Sequence, residues 1–562
     1  MAYDKEFFVD LALQGKEKWN EWRRTHEGVR VTFNGIDFSE APRDQINFEG
    51  FEFGDEADFR SCKWRGAILG DFRQGRAVFG NNTQFLSAAF GHDANFGHAV
   101  FGTAATFDCA TFGNDASFYR TAFGSYASFA RATLGICATF IQATFGNDAS
   151  FVRTAFGGMA SFKRATFGND ASFWHAAFAN RAIFYQTVFG GDASFEGAFF
   201  DSDASFASAT FGTGACFENA AFGNDVSFIG AAFGSGARFK NSSYKGRVQF
   251  DGKSMEQWIK DFELSSNYRQ LNPFESLEKV KEARGVLESW HKGSWTRFGS
   301  GPDRLLTISF EGARFDGKAV FSRRSFEGDA DFTNARFCRP PDFDPASKDA
   351  RIDFTGAHIG FVRPGRIHWT CETKVPLRLR ALRKIAEETK NHDLERDLYV
   401  EERKAERGVY LRQRFLAWVR DPKRKWALTS HIIWILVMGV YWALADYGRS
   451  FVRPLAWLIA SGFFFYWRYI AVLGELMAKA PDVDKYKQAV GMLALGNAVP
   501  FVGPLTIDSE IKKLLFCPSG ADYCLPPIPP EGFQLLVIFQ NLFSITCVFF
   551  IGLALRNYFR IK

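Results

Sequence analysis

One phenylalanine recurs every eleven residues from Phe85 to Phe250, at sixteen positions without exception. A second series, offset by five residues, runs from Phe90 to Tyr244 and departs from Phe only at Leu134 and Tyr244. Ala stands two residues before the first series in 13 of 16 units, and Gly directly follows the second in 12 of 15. An eleven-residue period also suits a right-handed coiled coil. On a helix, however, a step of five residues would set the two series about 140° apart, with a Gly in every repeat, which is a poor helix. Short strands satisfy every position: Phe points inward, the small residue two places earlier shares its face, and Gly or Asn-Asp turns the corner. The chain therefore reads as a β-solenoid.

The units Ala116-Ser117-Phe118, Ala149-Ser150-Phe151 and Ala171-Ser172-Phe173 resemble the A-x-(L/F) centre of pentapeptide-repeat proteins. That resemblance implies a right-handed, four-sided β-helix in which two eleven-residue units make one coil of about 22 residues, with coils about 4.8 Å apart. Phe in place of the commoner Leu, and an extra residue at alternate corners, set this chain apart.

Composition shifts divide the rest. Residues 1–30 read as an N-terminal cap, with an amphipathic helix from Glu6 to Trp22 covering the open end of a solenoid that spans 31–252. Residues 253–305 read as a helical insert and 306–360 as resumed coils. Residues 375–425 read as a helical hairpin with a basic juxtamembrane end, and 426–562 as a transmembrane domain. Four spans are expected, at 427–446, 454–474, 488–506 and 533–555, the third interrupted by Asn497, Pro500 and Pro504, with a re-entrant loop and an outward-facing basic tail as the alternative reading of that segment. Basic residues before the first span, between the second and third, and after the last all fall inside only with four crossings. Residues 407–426 hold seven basic side chains against Asp421, an expected contact for anionic lipid headgroups. The segment 443–454 (ALADYGRSFVRP) and the closing 553–562 (LALRNYFRIK), in this order after a solenoid, resemble membrane-anchored pentapeptide-repeat proteins of bacteria. The resemblance implies a membrane-anchored bacterial protein, and the charge rule, with no signal-peptide pattern over Met1 to Trp22, places both termini on the cytoplasmic side of a multi-pass inner-membrane protein.

Chemistry is sparse. The nine histidines are scattered, and no Ser-His-Asp set, phosphate loop or metal-ligand spacing can be assembled, so no enzyme activity and no cofactor are expected. Asp148, Asp170 and Asp192, 22 residues apart, should stack on one edge; they are weak metal candidates, since turn preference alone explains an Asp at a corner. Cys517 and Cys524 fall in an expected outer loop and are candidates for a disulfide. Arg468, Glu475 and Asn497 are candidate membrane-path residues, against snorkelling as the simpler reading of Arg468. Some pentapeptide-repeat proteins imitate DNA and inhibit topoisomerases, but residues 79–250 carry eleven acids against ten bases, too balanced for such a mimic. The arginines there are too sparse for a nucleic-acid stripe, so no nucleic acid is expected. What remains is a membrane-anchored scaffold that binds an unidentified cytoplasmic protein, with the oligomeric state open. The competing reading is an ion channel or transporter with a regulatory solenoid.

Overall fold

A computed structural model describes residues 3–66, 70–71, 75–253, 257, 304–343, 352–360, 375–388, 392–420, 439–446, 450–480, 482–499, 515 and 532–560. The chain divides into two units, 1–364 and 365–562.

The first unit is a parallel-sheet β-solenoid of about eleven turns. The second Phe series lies on two opposite sheets, one of eleven strands and one of twelve, whose neighbouring strands pair in register 22 residues apart through the uninterrupted tract, as in Phe145 with Phe167 and Phe156 with Phe178. The other two sides begin as single bridges, such as Ser128 to Ser150 and Ser117 to Thr139. Higher up they become sheets of four and six strands.

Four interior ladders result. Phe129, Phe151, Phe173 and Phe195 stack with centroids 5.0, 4.8 and 4.7 Å apart and planes within 2° of parallel. Across the coil, Phe151 meets Phe162 edge-on at 5.5 Å and 90°. One ring type thus makes offset stacks along the rod and edge-to-face pairs across it, both favourable to the aromatic quadrupole. The small interior position takes Ala, or Thr where its hydroxyl can bond a carbonyl below: Thr154 Oγ1 donates to the Phe129 carbonyl and Thr187 Oγ1 to that of Phe162, each at 2.7 Å.

At the N-terminus, two helices replace the single one expected: α1 (Lys5–Leu13) and α2 (Lys16–Thr25). Gly15, at φ +90°, breaks between them. Trp19 is fully buried against Phe33 and donates from Nε1 to the Glu52 carbonyl at 2.8 Å, seating α2 on the first coil.

The insert expected at 253–305 lies almost wholly outside the described residues, but its point of departure is clear. The chain leaves after the strand Val248–Gln249 and re-enters at Arg304–Leu305 on the adjacent side, so the interruption sits at one corner. Register survives it: Phe239 stacks on Phe310, Tyr244 on Phe315 and Phe250 on Phe321. Arg324 stands where Ala231 and Thr187 stand in lower coils, and it is buried. Its guanidinium reaches back past the interrupted coil to the carbonyls of Phe250 (2.7 Å), Ala231 (2.7 Å) and Phe228 (3.2 Å). A buried cation is tolerable there because those carbonyls satisfy it.

The second unit is helical. A hairpin of α3 (Val375–Glu388) and α4 (His392–Arg420) precedes α5 (Val452–Val472), α6 (Gly474–Ala478), α7 (Val483–Ala498) and α8 (Phe533–Arg560). Among the described residues, α5 and α8 are long and apolar enough to cross a membrane. Most of the first expected span, and 500–506 of the third, lie outside the described residues. The third begins earlier than expected, at Val483, because Asp482 caps it by accepting from the amides of Asp484 and Lys485.

Candidate functional site

Many corners of the solenoid hold residues in the left-handed region, with side chains as different as Arg and Asp. Arg153, Asp148, Asp170 and Asp192 have φ of 54°, 58°, 60° and 51°. Asp148, Asp170 and Asp192 do form one edge: burial first, and then the charges of Asp148 and Asp192, push the Asp170 carboxyl above its ordinary range. Among the described residues, no cluster of three or more His, Cys, Asp or Glu has metal-binding geometry. The preceding asparagines act differently from a cap on their own turn. Asn147 Oδ1 accepts from the Asn169 amide, and Asn169 Oδ1 from the Gly191 amide, at 2.9 and 2.8 Å. Each side chain therefore ties its coil to the next, 22 residues on.

In the helical unit the candidate path residues separate. Arg468 and Glu475 are exposed, on the outer surface of α5 and α6, whereas Asn497 is buried on α7. Two further polar residues, Tyr469 and Gln540, surround it. Tyr469 Oη donates to Gln540 Oε1 at 2.5 Å, Gln540 Nε2 donates to the Ala494 carbonyl at 2.7 Å, and Asn497 Nδ2 lies 3.5 Å from Tyr469 Oη. Tyr469, Asn497 and Gln540 come from three different helices, so each looks like an isolated polar residue in an apolar run until the helices pack. Ser544, one turn beyond Gln540, is buried with its Oγ unpaired. Cys517 and Cys524 lie outside the described residues. So does 421–426 of the basic segment; 407–420 forms the end of α4.

The α3–α4 hairpin is closed by a buried acid. Glu402, 1% exposed at its side chain, accepts from Arg380 Nε at 2.7 Å and Arg383 Nε at 2.9 Å. Arg380 also reaches Glu406 at 2.8 Å, which Arg403 engages at 2.7 Å.

The fold and its repeat define a class: a pentapeptide-repeat β-solenoid, an interaction-type scaffold fold. The family model for pentapeptide repeats matches residues 140–185, in nine copies. That match falls within the uninterrupted Phe tract. No curated protein and no solved structure matches the chain.

Proposed function

We propose that the protein is a membrane-anchored, non-enzymatic scaffold whose solenoid binds a cytoplasmic partner protein. The observation that carries this reading is a fixed rod with an open face. On the twelve-stranded sheet the outward residues Thr111, Thr133, Ala155 and Phe199 are exposed over a backbone locked coil to coil. About eleven turns at about 4.8 Å per coil make a rod of about 53 Å, long enough to display several binding positions. In this reading α5 and α8 are membrane spans within a four-crossing domain of a bacterial inner membrane, both termini are cytoplasmic, and 407–426 meets anionic headgroups. Protease treatment of right-side-out and inverted vesicles tests the orientation: digestion of the solenoid in inverted vesicles is expected, and protection there overturns it. Photo-crosslinking from position 155 in native membranes tests the scaffold, which predicts capture of a discrete partner protein.

The buried Tyr469–Gln540–Asn497 network favours a second reading, a channel or transporter, because polar groups inside a membrane domain commonly line pathways. Ion flux through the full chain in liposomes, abolished by Asn497→Ala, would replace the scaffold reading with this one.

A further inference from the structure

We propose that one window on the open face of the twelve-stranded sheet docks an acidic, amphipathic peptide segment of a partner protein. This deepens the scaffold reading and rests on it. Each coil contributes an arc to this face, running from one corner across the strand to the next. The arcs 130–137, 152–159 and 174–181 carry Arg131, Arg153, His175 and Arg181 and no carboxylate. The arc before them holds Asp108 and Asp115, and the arc after them Glu196, Asp201 and Asp203. Three successive coils, about 14 Å of rod, thus form a cationic window framed by acids.

Within that window the polar corner is replaced by aliphatic side chains. Where other units place Asn-Asp, the chain has Ile136-Cys137 and Gly158-Met159, and Ile136 and Met159 are 49% and 45% exposed. The strands here, Thr133–Ile136 and Ala155–Gly158, are four residues long, and Ile136 pairs with Gly158. The flat surface therefore widens toward the aliphatic corner. At the opposite corner Arg131, Arg153 and His175 are exposed, and the Arg153 guanidinium lies 5.0 Å over the Trp174 ring, which holds it in place. Two adjacent coils consequently carry a cation, a small residue and an aliphatic side chain in the same chain order: Arg131, Thr133 and Ile136 in one, Arg153, Ala155 and Met159 in the next, with Met159 one place beyond the Gly158 that pairs with Ile136.

A matching ligand places carboxylates against the arginines, apolar side chains against Ile136 and Met159, and its backbone close over Thr133 and Ala155. A peptide with an acidic stripe beside an apolar one does all three. A bilayer or a duplex is a broad anionic surface, and it would meet the framing acids as well as the window; a segment of matching size avoids them.

The test uses the full chain in zwitterionic nanodiscs and a fluorescent amphipathic peptide with Glu on one face and Leu on the other, compared with its Glu→Gln counterpart. The Glu peptide is expected to bind at least tenfold more tightly. Arg131→Gln with Arg153→Gln should remove that preference, Met159→Ser should weaken both peptides, and Asp170→Asn should change neither. Thermal melts of the arginine and Met159 variants that stay at the wild-type value exclude misfolding. Equal binding of the two peptides, or full binding by the double arginine variant, overturns the proposal. So does binding of phosphatidylglycerol vesicles that is lost in that variant, which would make the window a lipid surface. If position 155 still captures a partner in cells when the arginines are replaced, the scaffold reading stands and the window assignment falls.

Discussion

Phe310 stacks on Phe239 at 4.9 Å with the ring planes 16° apart, although a full insertion separates them in the chain. The solenoid core is therefore continuous through the break, and the local cost of the interruption is met at the corner by Arg324.

Replacing Arg324 with Met keeps much of its volume but leaves the carbonyls of Phe228, Ala231 and Phe250 without this donor. Charge-assisted bonds are worth about 1.5–3 kcal/mol each, partly offset by relief from burying a cation, so a net loss of about 3 kcal/mol is expected. Thermal unfolding of the full chain measures it, and Arg324→Lys should fall between the two.

The Asp148, Asp170 and Asp192 stack predicts a pH effect of definite sign. A carboxyl whose folded value lies above its unfolded value binds extra protons in the folded state, so it lowers stability as pH rises through that range. Asp170→Asn should raise the melting temperature at neutral pH, and the gain should vanish as pH falls through the ordinary carboxylate range. Asn also suits the left-handed corner. A wild type that gains several degrees from calcium, with Asp170→Asn gaining none, would make this edge a metal site.

Around Glu402 the two halves of the ion pair are unequal. Arg380 and Arg383 are 53% and 28% exposed at their side chains, so they can be solvated when Glu402 becomes Gln. The reverse leaves a carboxylate buried without its cations. Arg380→Ala with Arg383→Ala should therefore destabilise the hairpin more, by about 3–5 kcal/mol against about 1–3. Hydrogen exchange over 375–420 reads the difference.

In the helical unit, Tyr469→Phe takes the donor from Gln540 Oε1 and, on the proposed membrane-spanning reading, should cost about 0.6–2 kcal/mol, the range for interhelical hydrogen bonds in a bilayer. Unfolding in mixed detergent measures it. Gln540→Leu together with Tyr469→Phe should cost less than the sum of the single changes.

The periodic parts of this molecule were legible because each repeats its own evidence. Sixteen Phe positions leave no other register, and the four ladders follow from them. Single events were less legible. Gly15 could not be told from a helix residue until its positive φ was seen, and the role of Arg324 depends on an alignment across the insertion. Asn147 precedes a corner Asp, yet its side chain accepts from the Asn169 amide of the next coil, a tie that no rule for a single turn contains. Tyr469 and Gln540 are 71 residues apart, and no spacing rule pairs them. Arg468 and Glu475 share a helical spacing but lie on an exposed surface, because the buried stripe of α5 runs through Phe465 and Tyr469 instead.

The uninterrupted register of the rings also sets how the rod yields to force. Pulled from one end, each coil of the uninterrupted tract peels away from a neighbour that stays whole, releasing 22 residues, or about 75 Å of extended chain, per event. The N-terminal coils, where Phe33, Phe59 and Phe85 stack, release 26 residues each. One step stands far outside both sizes: the coil between Phe239 and Phe310 carries the insertion, and its rupture frees 71 residues, about 240 Å, at once. An extension trace would be a comb of nearly even teeth with one long gap, whose position counts the coils on either side.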